Sequence, residues 1–155
     1  MAREYPDRPV VGVGGVLIEN ERTLLIKRGT EPLLGQWSIP GGTLELGESL
    51  QAGVAREMLE ETGLEVRVLD MIEAFDRIFI DPATSPSEGK SRPKYHYVIV
   101  DYLCERLSGT PLAGSDVTDV AFAREDELEK FHLTPTAMRV LRRAFAMDRE
   151  RRKNP

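Results

Sequence analysis

The sequence is poor in cysteine and histidine, and this scarcity limits the chemistry that it can carry. Its 155 residues include one cysteine, Cys104, and two histidines. A single cysteine cannot form a disulfide within the chain, so we expect a reducing, cytoplasmic location. Cys104 ends a run of mostly apolar residues, which favours a small buried side chain over a nucleophile. No Ser/His/Asp or Cys/His arrangement is evident.

Long hydrophobic runs and an excess of positive charge are also absent. No segment approaches the roughly 18 apolar residues that a membrane-spanning helix needs, and the polar N-terminus lacks the apolar core of a signal peptide. The formal net charge is -5, so we expect neither a nucleic-acid polymer nor a membrane as a partner. An acidic protein that binds a polyanionic substrate needs a local cation, which is a first indication of a metal.

Chain length and composition predict one folded domain. An apolar share of 41% in 155 residues is enough for a single packed core. Residues 1–8 are polar, and we expect them to form a flexible N-terminal arm. A single domain is predicted over residues 9–149, and residues 150–155 are predicted to form a charged C-terminal tail.

The order of the predicted elements is typical of a layered α/β domain. Strands are predicted at Pro9–Ile18, Arg22–Arg28, Leu64–Ile80 (with a break), Tyr95–Cys104 and Val117–Ala123. Helices are predicted at Glu48–Thr62, at Glu125–Phe131 and from Pro135 to about Arg149, with Thr134 as an N-cap. Residues 81–94 carry no large apolar side chain, and we expect this loop to close over a substrate as a lid.

The helix predicted at Glu48–Thr62 places acidic residues on its apolar face. At about 100° per residue, its large apolar side chains form one stripe that begins at Leu50. Glu57 and Glu61 fall within about 20° of Leu50, and Glu60 flanks them at about 80°. A solvated acidic face would lie opposite the stripe. The positions of Glu57 and Glu61 therefore predict a partner other than bulk water.

A divalent cation is the partner that we favour for this face, over the alternative of a merely acidic helix. Glu57 lies one helical turn before both Glu60 and Glu61, and such like-charged neighbours repel each other. Coordination of Mg²⁺ or Mn²⁺ by carboxylate oxygens replaces that repulsion with attraction. Arg56 is placed to orient and partly neutralise a neighbouring carboxylate. The glycines of Pro40–Gly42 allow a close approach of backbone groups to a metal or a phosphate.

The segment Gly42–Leu64 resembles the Nudix box. Fixed positions of that motif match at Gly42, Glu48, Arg56, Glu57, Glu60, Glu61 and Gly63, and the aliphatic positions match at Met58 and Leu64. The lead-in Trp37–Gly42 and the segment Val120–Leu128 resemble the same family. The resemblance covers most of residues 9–147.

This resemblance implies both a fold and a metal-dependent reaction. The fold is a mixed β-sheet sandwiched between α-helices, an α/β/α arrangement. The implied ligands of Mg²⁺, for which Mn²⁺ is a substitute, are Glu57, Glu60, Glu61 and the carbonyl group of Gly42. Glu48 and Arg56 are implied to support them in catalysis. The reaction is an attack of water on a phosphorus atom of a nucleoside diphosphate linked to another group.

The general base stays open at this stage. Nudix proteins use either a glutamate of the box or an acid from a later loop. The candidates are Glu57 or Glu60 in the box, and Asp116 or Asp119, for which turn formation is the alternative role. We expect Glu57 or Glu60 to dominate. Arg28, at the end of the second strand, is a candidate phosphate contact, and Asp116 is a candidate substrate contact.

The substrate is expected to be a small nucleotide, and its identity depends on residues outside the box. ADP-ribose-cleaving relatives have a proline at a set distance past the box, and Pro82 lies slightly late for that position. The leading expectation is hydrolysis of ADP-ribose or a related ADP-sugar to AMP and a sugar phosphate. The alternatives are removal of pyrophosphate from a nucleoside triphosphate such as 8-oxo-dGTP, and a non-catalytic module that senses a nucleotide. Many relatives form dimers, so a homodimer is a further expectation.

Overall fold

A mixed β-sheet with a helix on each face forms the centre of the structure. The computed structural model describes residues 4–83 and 92–154. The strands in these residues are β1 (Val10–Glu19), β2 (Arg22–Arg28), β3 (Trp37–Ser38), β4 (Gly41–Thr43), β5 (Glu65–Ile80), β6 (Pro93–Ser108) and β7 (Val117–Arg124). The helices are α1 (Leu50–Thr62) and α2 (Pro135–Lys153), with a 3₁₀-helix at Glu125–Phe131. The predicted α/β class is confirmed.

Strand β1 joins the two halves of the sheet. The strand order is β3-β2-β1-β6-β5, while β4 also pairs with β1 and β7 with β2. β1 runs parallel to β6 and antiparallel to β2 and β4, so the sheet is mixed. The parallel register places Gly14 opposite Asp101. The middle of β6 therefore lies beside β1, the strand that also pairs with β4.

The two helices cover opposite faces of the sheet. Val13 and Leu17 of β1 belong to a buried cluster with Met58 of α1. Val16, which points the other way, belongs to a second cluster with Val140 of α2. Because successive side chains of a strand point to opposite faces, α1 and α2 lie on different sides. This confirms the predicted α/β/α sandwich.

Helix α1 is fixed at both ends by its own sequence. Ser49 has an extended backbone, and its Oγ accepts a hydrogen bond from the N–H of Ala52 at 3.1 Å, which satisfies one free donor of the first turn. The helix therefore begins at Leu50, after the predicted start at Glu48. Gly63 ends the helix with a φ of 74°, a left-handed conformation that glycine adopts at little cost.

Strands β5 and β6 form a long antiparallel hairpin. Each has 16 residues. The sequence predicts a break in β5, but the structure has one continuous strand whose pairing with β6 shifts in register at several points. β6 extends past both predicted ends: it begins at Pro93, before Tyr95, and it ends at Ser108, after Cys104. Residues 84–91, which make up most of the predicted lid, lie outside the described residues.

At both ends of the chain, residues outside the predicted domain bounds are part of the ordered structure. The phenol of Tyr5 donates a hydrogen bond to Asp81 Oδ2 at 2.6 Å, and the backbone N–H of Tyr5 donates to the carbonyl of Lys94. Glu4 accepts a hydrogen bond from the phenol of Tyr95, so residues 4 and 5 contact the β5–β6 hairpin. α2 continues to Lys153, past the predicted end near Arg149, so residues 150–153 of the predicted tail are helical. No helix in the described residues is long and apolar enough to cross a membrane.

Candidate active site

Two glycines bring the loop before α1 against the helix. The backbone N–H of Gly41 donates a hydrogen bond to Glu61 Oε1 at 2.7 Å. A side chain at Gly41 would collide with the carbonyl oxygen of Val13, and a side chain at Gly42 would collide with the carboxylate of Glu57. The missing side chain at Gly41 thus lets β4 pair closely with β1, and the missing side chain at Gly42 lets the backbone of β4 touch the acidic face of α1.

The acidic residues of α1 differ in exposure as the helical spacing predicts. Glu57 and Glu61 are each 9% exposed, although ionised carboxylates are seldom buried without a partner. Glu60 lies at the margin, with 47% of its side chain exposed. The structure thus brings all three predicted metal-binding carboxylates to one side of α1, where Glu57 and Glu61 are buried and Glu60 is partly exposed.

Arg56 connects four acceptors around this face. Its Nε and Nη2 atoms donate to the two carboxylate oxygens of Glu48 at 2.7 and 2.9 Å. Its Nη1 donates to Glu57 at 2.8 Å and to Glu60 at 3.3 Å, and its Nη2 also donates to the carbonyl of Thr43 at 3.0 Å. A two-point contact of this kind fixes a guanidinium group in orientation as well as in position. Arg56 therefore holds α1 to the loop and orients Glu57.

Burial and neighbouring charges shift the pKa values of this cluster in opposite directions. The hydrogen bond from Arg56 lowers the pKa of Glu48 to about 2, so Glu48 is ionised at any physiological pH. Burial raises the pKa of Glu61 to about 7, and the Glu57 carboxylate adds to that rise. Burial also raises the pKa of Glu57, against the influence of Arg56. At neutral pH the buried pair therefore favours a bound proton or a bound cation.

The donor set at this face fits a hard divalent cation. It offers carboxylate oxygens from Glu57, Glu60 and Glu61, and the backbone of Gly42 lies directly against the Glu57 carboxylate. Across residues 4–83 and 92–154, no three acidic, histidine or cysteine side chains converge closely enough to surround one ion. Arg56 holds Glu57 and Glu60, and the N–H of Gly41 holds Glu61.

A cavity of about 510 Å³ opens in front of these carboxylates. Arg28 and Asp116, the two predicted substrate contacts, both line it together with Glu57, Glu60 and Glu61. The Nε of Arg28 donates to the carbonyl of Pro32 at 2.6 Å, and its other guanidinium nitrogens form no hydrogen bond within the described residues. The volume falls in the range of about 300–1,000 Å³ that is usual for small-molecule sites.

Other residues singled out in the sequence lie outside this cavity or inside the core. The carboxylate of Asp119 accepts a hydrogen bond from the N–H of Val120, and Asp119 does not line the cavity. Cys104 is buried, and burial raises the pKa of its thiol to about 12, which agrees with a structural role.

Two charged residues of the cavity wall were missed at the level of sequence. Asp101 of β6 and Arg77 of β5 both line the cavity on the face of the sheet that carries α2. A charged residue in the middle of the apolar run Val98–Leu103 was the available indication for Asp101. Arg77 gave no comparable indication, because alternating polar residues in an edge strand are ordinary.

Comparisons with known proteins agree with this geometry. Residues 8–145 match the sequence model of the NUDIX domain. The chain is 30% identical over 122 residues to an ADP-ribose pyrophosphatase of Methanocaldococcus jannaschii, an alignment that covers 79% of this chain and 66% of that protein. It is 33% identical over 132 residues to a MutT-like protein of Streptomyces ambofaciens, which covers 84% of this chain and 74% of the relative.

Solved structures of NUDIX hydrolases share the fold of this chain. The crystal structure of a MutT NUDIX hydrolase from Burkholderia pseudomallei superposes with a TM-score of 0.71 at 27% identity, covering 88% of this chain and 98% of the other. The chain spans just under two thirds of the length of the M. jannaschii relative. The family match over most of the chain, the shared fold and the acidic helix facing a glycine loop lead to one assignment: the chain belongs to the Nudix family of hydrolases.

Proposed function

We propose that the protein hydrolyses a phosphoanhydride bond in a nucleoside diphosphate linked to another group, and that ADP-ribose or a related ADP-sugar is its substrate. The observation that carries this proposal is the buried pair Glu57 and Glu61 in the wall of a nucleotide-sized cavity. Two carboxylates so close together are costly to bury unless a cation accompanies them. The same cation would also offset the negative charge of a polyanionic substrate.

Nudix hydrolases generally require a divalent metal, usually Mg²⁺. In this chain we assign its ligands to Glu57, Glu60, Glu61 and the carbonyl of Gly42, with Mn²⁺ as a substitute. When bound, the ion supplies Lewis-acid chemistry: it offsets phosphate charge and lowers the pKa of a bound water.

The side chains around the ligands position the reacting groups. Arg56 and Glu48 form a rigid pair that fixes the orientation of Glu57. Arg28 lines the cavity, and its free donors suit phosphate oxygens, which guanidinium groups bind in two-point contacts. Arg28 thus holds the phosphate chain of the substrate against the acidic end of α1.

Glu57 is the group that we assign to accept the proton of the attacking water, with Glu60 as the second candidate. Burial raises the pKa of Glu57, and a base whose pKa is closer to neutrality accepts a proton more effectively. Glu60 is half exposed and held less closely by Arg56. Asp116 lines the same cavity and is the candidate from a later loop. Replacing each of the three by its amide and comparing kcat separates these assignments.

The choice of ADP-ribose rests on the similarity to the ADP-ribose pyrophosphatase of Methanocaldococcus jannaschii and on the volume of the cavity. The same carboxylates would serve the removal of pyrophosphate from a nucleoside triphosphate, so the chemistry of the site is common to both substrate classes. A nucleotide sensor without activity has no need for the buried pair of Glu57 and Glu61. Product identity distinguishes these functions.

The test is a panel assay with Mg²⁺, using ADP-ribose, NADH, diadenosine polyphosphates and deoxynucleoside triphosphates including 8-oxo-dGTP. We expect AMP and ribose 5-phosphate from ADP-ribose, and no turnover in EDTA. Asp119→Asn is the matched control, because Asp119 lies outside the cavity. A monophosphate and pyrophosphate from a triphosphate would move the substrate assignment to the alternative. Folded protein that turns over nothing would contradict the enzymatic function.

A further inference from the structure

A buried carboxylate that no other part of the site uses lies in the wall of the cavity. Asp101 stands in the middle of β6, is 3% exposed and lines the cavity. Among the described residues, none donates a hydrogen bond to its carboxylate. Buried polar groups are nearly always hydrogen-bonded, and an exception calls for an explanation. The open side of this carboxylate is the cavity, so its missing partner is expected there.

Glycine at position 14 creates the space that this carboxylate occupies. Gly14 of β1 is the parallel partner of Asp101, and a side chain at Gly14 would collide with Asp101 Oδ1. The same added carbon would lie 3.1 Å from the carbonyl oxygen of Pro40. The carboxylate of Asp101 therefore lies across β1, towards the loop whose Gly41 and Gly42 contact α1.

The charges around the cavity divide it into two ends. Arg28 and Glu61 influence each other electrostatically at the acidic end. Arg77 and Asp101 do so further along the sheet, where Arg28 also influences Arg77, and the guanidinium of Arg77 forms no hydrogen bond or ion pair within the described residues. An ionised carboxylate only accepts hydrogen bonds, and it repels phosphate oxygens. The Asp101 end therefore suits the uncharged part of a nucleotide.

We propose that Asp101 is a specificity-determining residue, which accepts hydrogen bonds from the neutral donor groups of the nucleoside or sugar part of the substrate and excludes phosphate from that end of the cavity. This inference rests on the proposed function of the site and deepens it. The recognised groups are sugar hydroxyls or a base amino group. Gly14 provides the space for the carboxylate, and Arg77 offsets its charge.

Two substitutions remove the carboxylate from its position in different ways. Asp101→Asn removes the charge and keeps the shape. Gly14→Ala keeps the charge and displaces the carboxylate through the added methyl group. Asp76→Asn is the matched control, because Asp76 is exposed on the neighbouring strand β5 and does not line the cavity. Circular dichroism verifies that each variant is folded.

The first measurement is calorimetric binding of ADP-ribose and AMP to the full chain in EDTA, which needs no turnover. We expect Asp101→Asn and Gly14→Ala to bind at least about tenfold more weakly than the wild type, since a lost hydrogen bond to a charged group has an effect of this size. Their binding of Mn²⁺ should match that of the wild type and of Asp76→Asn. With Mg²⁺, KM for ADP-ribose should rise by a similar factor while kcat changes little.

The choice of probe identifies the donor group. If Asp101 contacts the 2′-hydroxyl of the ribose, Asp101→Asn should have no effect on the binding of 2′-deoxy-AMP. If it contacts the base amino group, the effect should vanish for purine riboside 5′-monophosphate, which lacks that group. Asp101→Asn with wild-type binding and KM for every nucleotide that the wild type uses would overturn the proposal. So would an equal loss of Mn²⁺ binding, which indicates a general defect.

Failure of the proposed substrate is a separate result. If the wild type cleaves no ADP-ribose but cleaves a triphosphate, the substrate assignment is wrong, and the same three variants are compared on that triphosphate. The specificity role of Asp101 is retained if Asp101→Asn and Gly14→Ala raise KM there while Asp76→Asn does not, and it is rejected if all variants behave alike.

Discussion

Replacing Asp101 by asparagine should stabilise the metal-free protein at alkaline pH. Burial raises the pKa of Asp101 from 3.8 to about 7, with Glu73 adding to the rise and Arg77 opposing it. The folded, ligand-free protein therefore keeps the neutral carboxyl group up to a pH of about 7 and holds the ionised group above it, whereas the unfolded chain releases the proton near the ordinary value. Asparagine is neutral at every pH and keeps the shape of the protonated carboxyl group.

The size of the effect follows from the two pKa values. They differ by about three pH units, and each unit corresponds to about 1.4 kcal/mol. The stability that the neutral carboxyl contributes is fully present below the unfolded pKa and is lost as the pH rises through about 7. Asp101→Asn should therefore raise the free energy of unfolding by about 4 kcal/mol at pH 8, by about 2 kcal/mol at pH 5 and by almost nothing near pH 3.5.

Urea denaturation in EDTA, followed by circular dichroism at these three pH values, measures the difference between wild type and variant. Contributions from Glu61 and other groups are common to both proteins and cancel. Asp76→Asn, at an exposed position, should change the free energy of unfolding by less than about 0.5 kcal/mol at each pH. A gain that is independent of pH, or no gain at pH 8, would show that the Asp101 carboxylate is not buried as the structure places it.

Three further results are expected. Mn²⁺ binding, measured by electron paramagnetic resonance, should weaken by up to about tenfold per pH unit as the pH falls below about 7. The reason is that protons compete with the ion for Glu61, whose pKa is raised to about 7. Binding that is independent of pH between about 5.5 and 8 would contradict this. Gly42→Ala should bind Mn²⁺ at least about tenfold more weakly in a folded protein, because its methyl group displaces the Glu57 carboxylate; wild-type affinity would remove Gly42 from the site. Deletion within residues 84–91 should raise KM for the substrate much more than it lowers thermal stability, and unchanged kinetics would argue against a lid.

Much of the fold was predictable because local sequence and tertiary packing agree. The 3₁₀-helix at Glu125–Phe131 and the strand Arg22–Arg28 were predicted with their observed bounds. Thr134 caps α2 through a hydrogen bond from the N–H of Ala137 at 3.1 Å, as the pair Thr134-Pro135 indicates. The buried positions of Glu57 and Glu61 follow from helical spacing alone, and the structure bears out that placement.

The missed elements depend on contacts that are distant in sequence. β3 and β4 contain two and three residues, and they are strands only because β2 and β1 supply their hydrogen-bonding partners. Propensity over so few residues carries no information about such pairing. Asp101 was overlooked for a related reason. The space that its carboxylate occupies depends on Gly14, which lies on another strand of the sheet.

The cluster around Arg56 shows a similar limit. The sequence places Arg56 near a carboxylate, but its contact with the carbonyl of Thr43 depends on how the loop folds back over α1. The same holds for Glu48, which lies before the first turn of the helix and still receives two hydrogen bonds from Arg56.

The most direct test of the central claim compares the wild type with Glu57→Gln in Mg²⁺-dependent release of AMP from ADP-ribose. The variant keeps the size of the side chain and removes the charge that faces Gly42 and Arg56. We predict that kcat falls at least about a hundredfold, as is typical for the loss of an essential acid–base group, while circular dichroism stays unchanged. Turnover by folded Glu57→Gln at the wild-type rate would contradict the account, because the buried carboxylates of α1 would then have no part in the reaction.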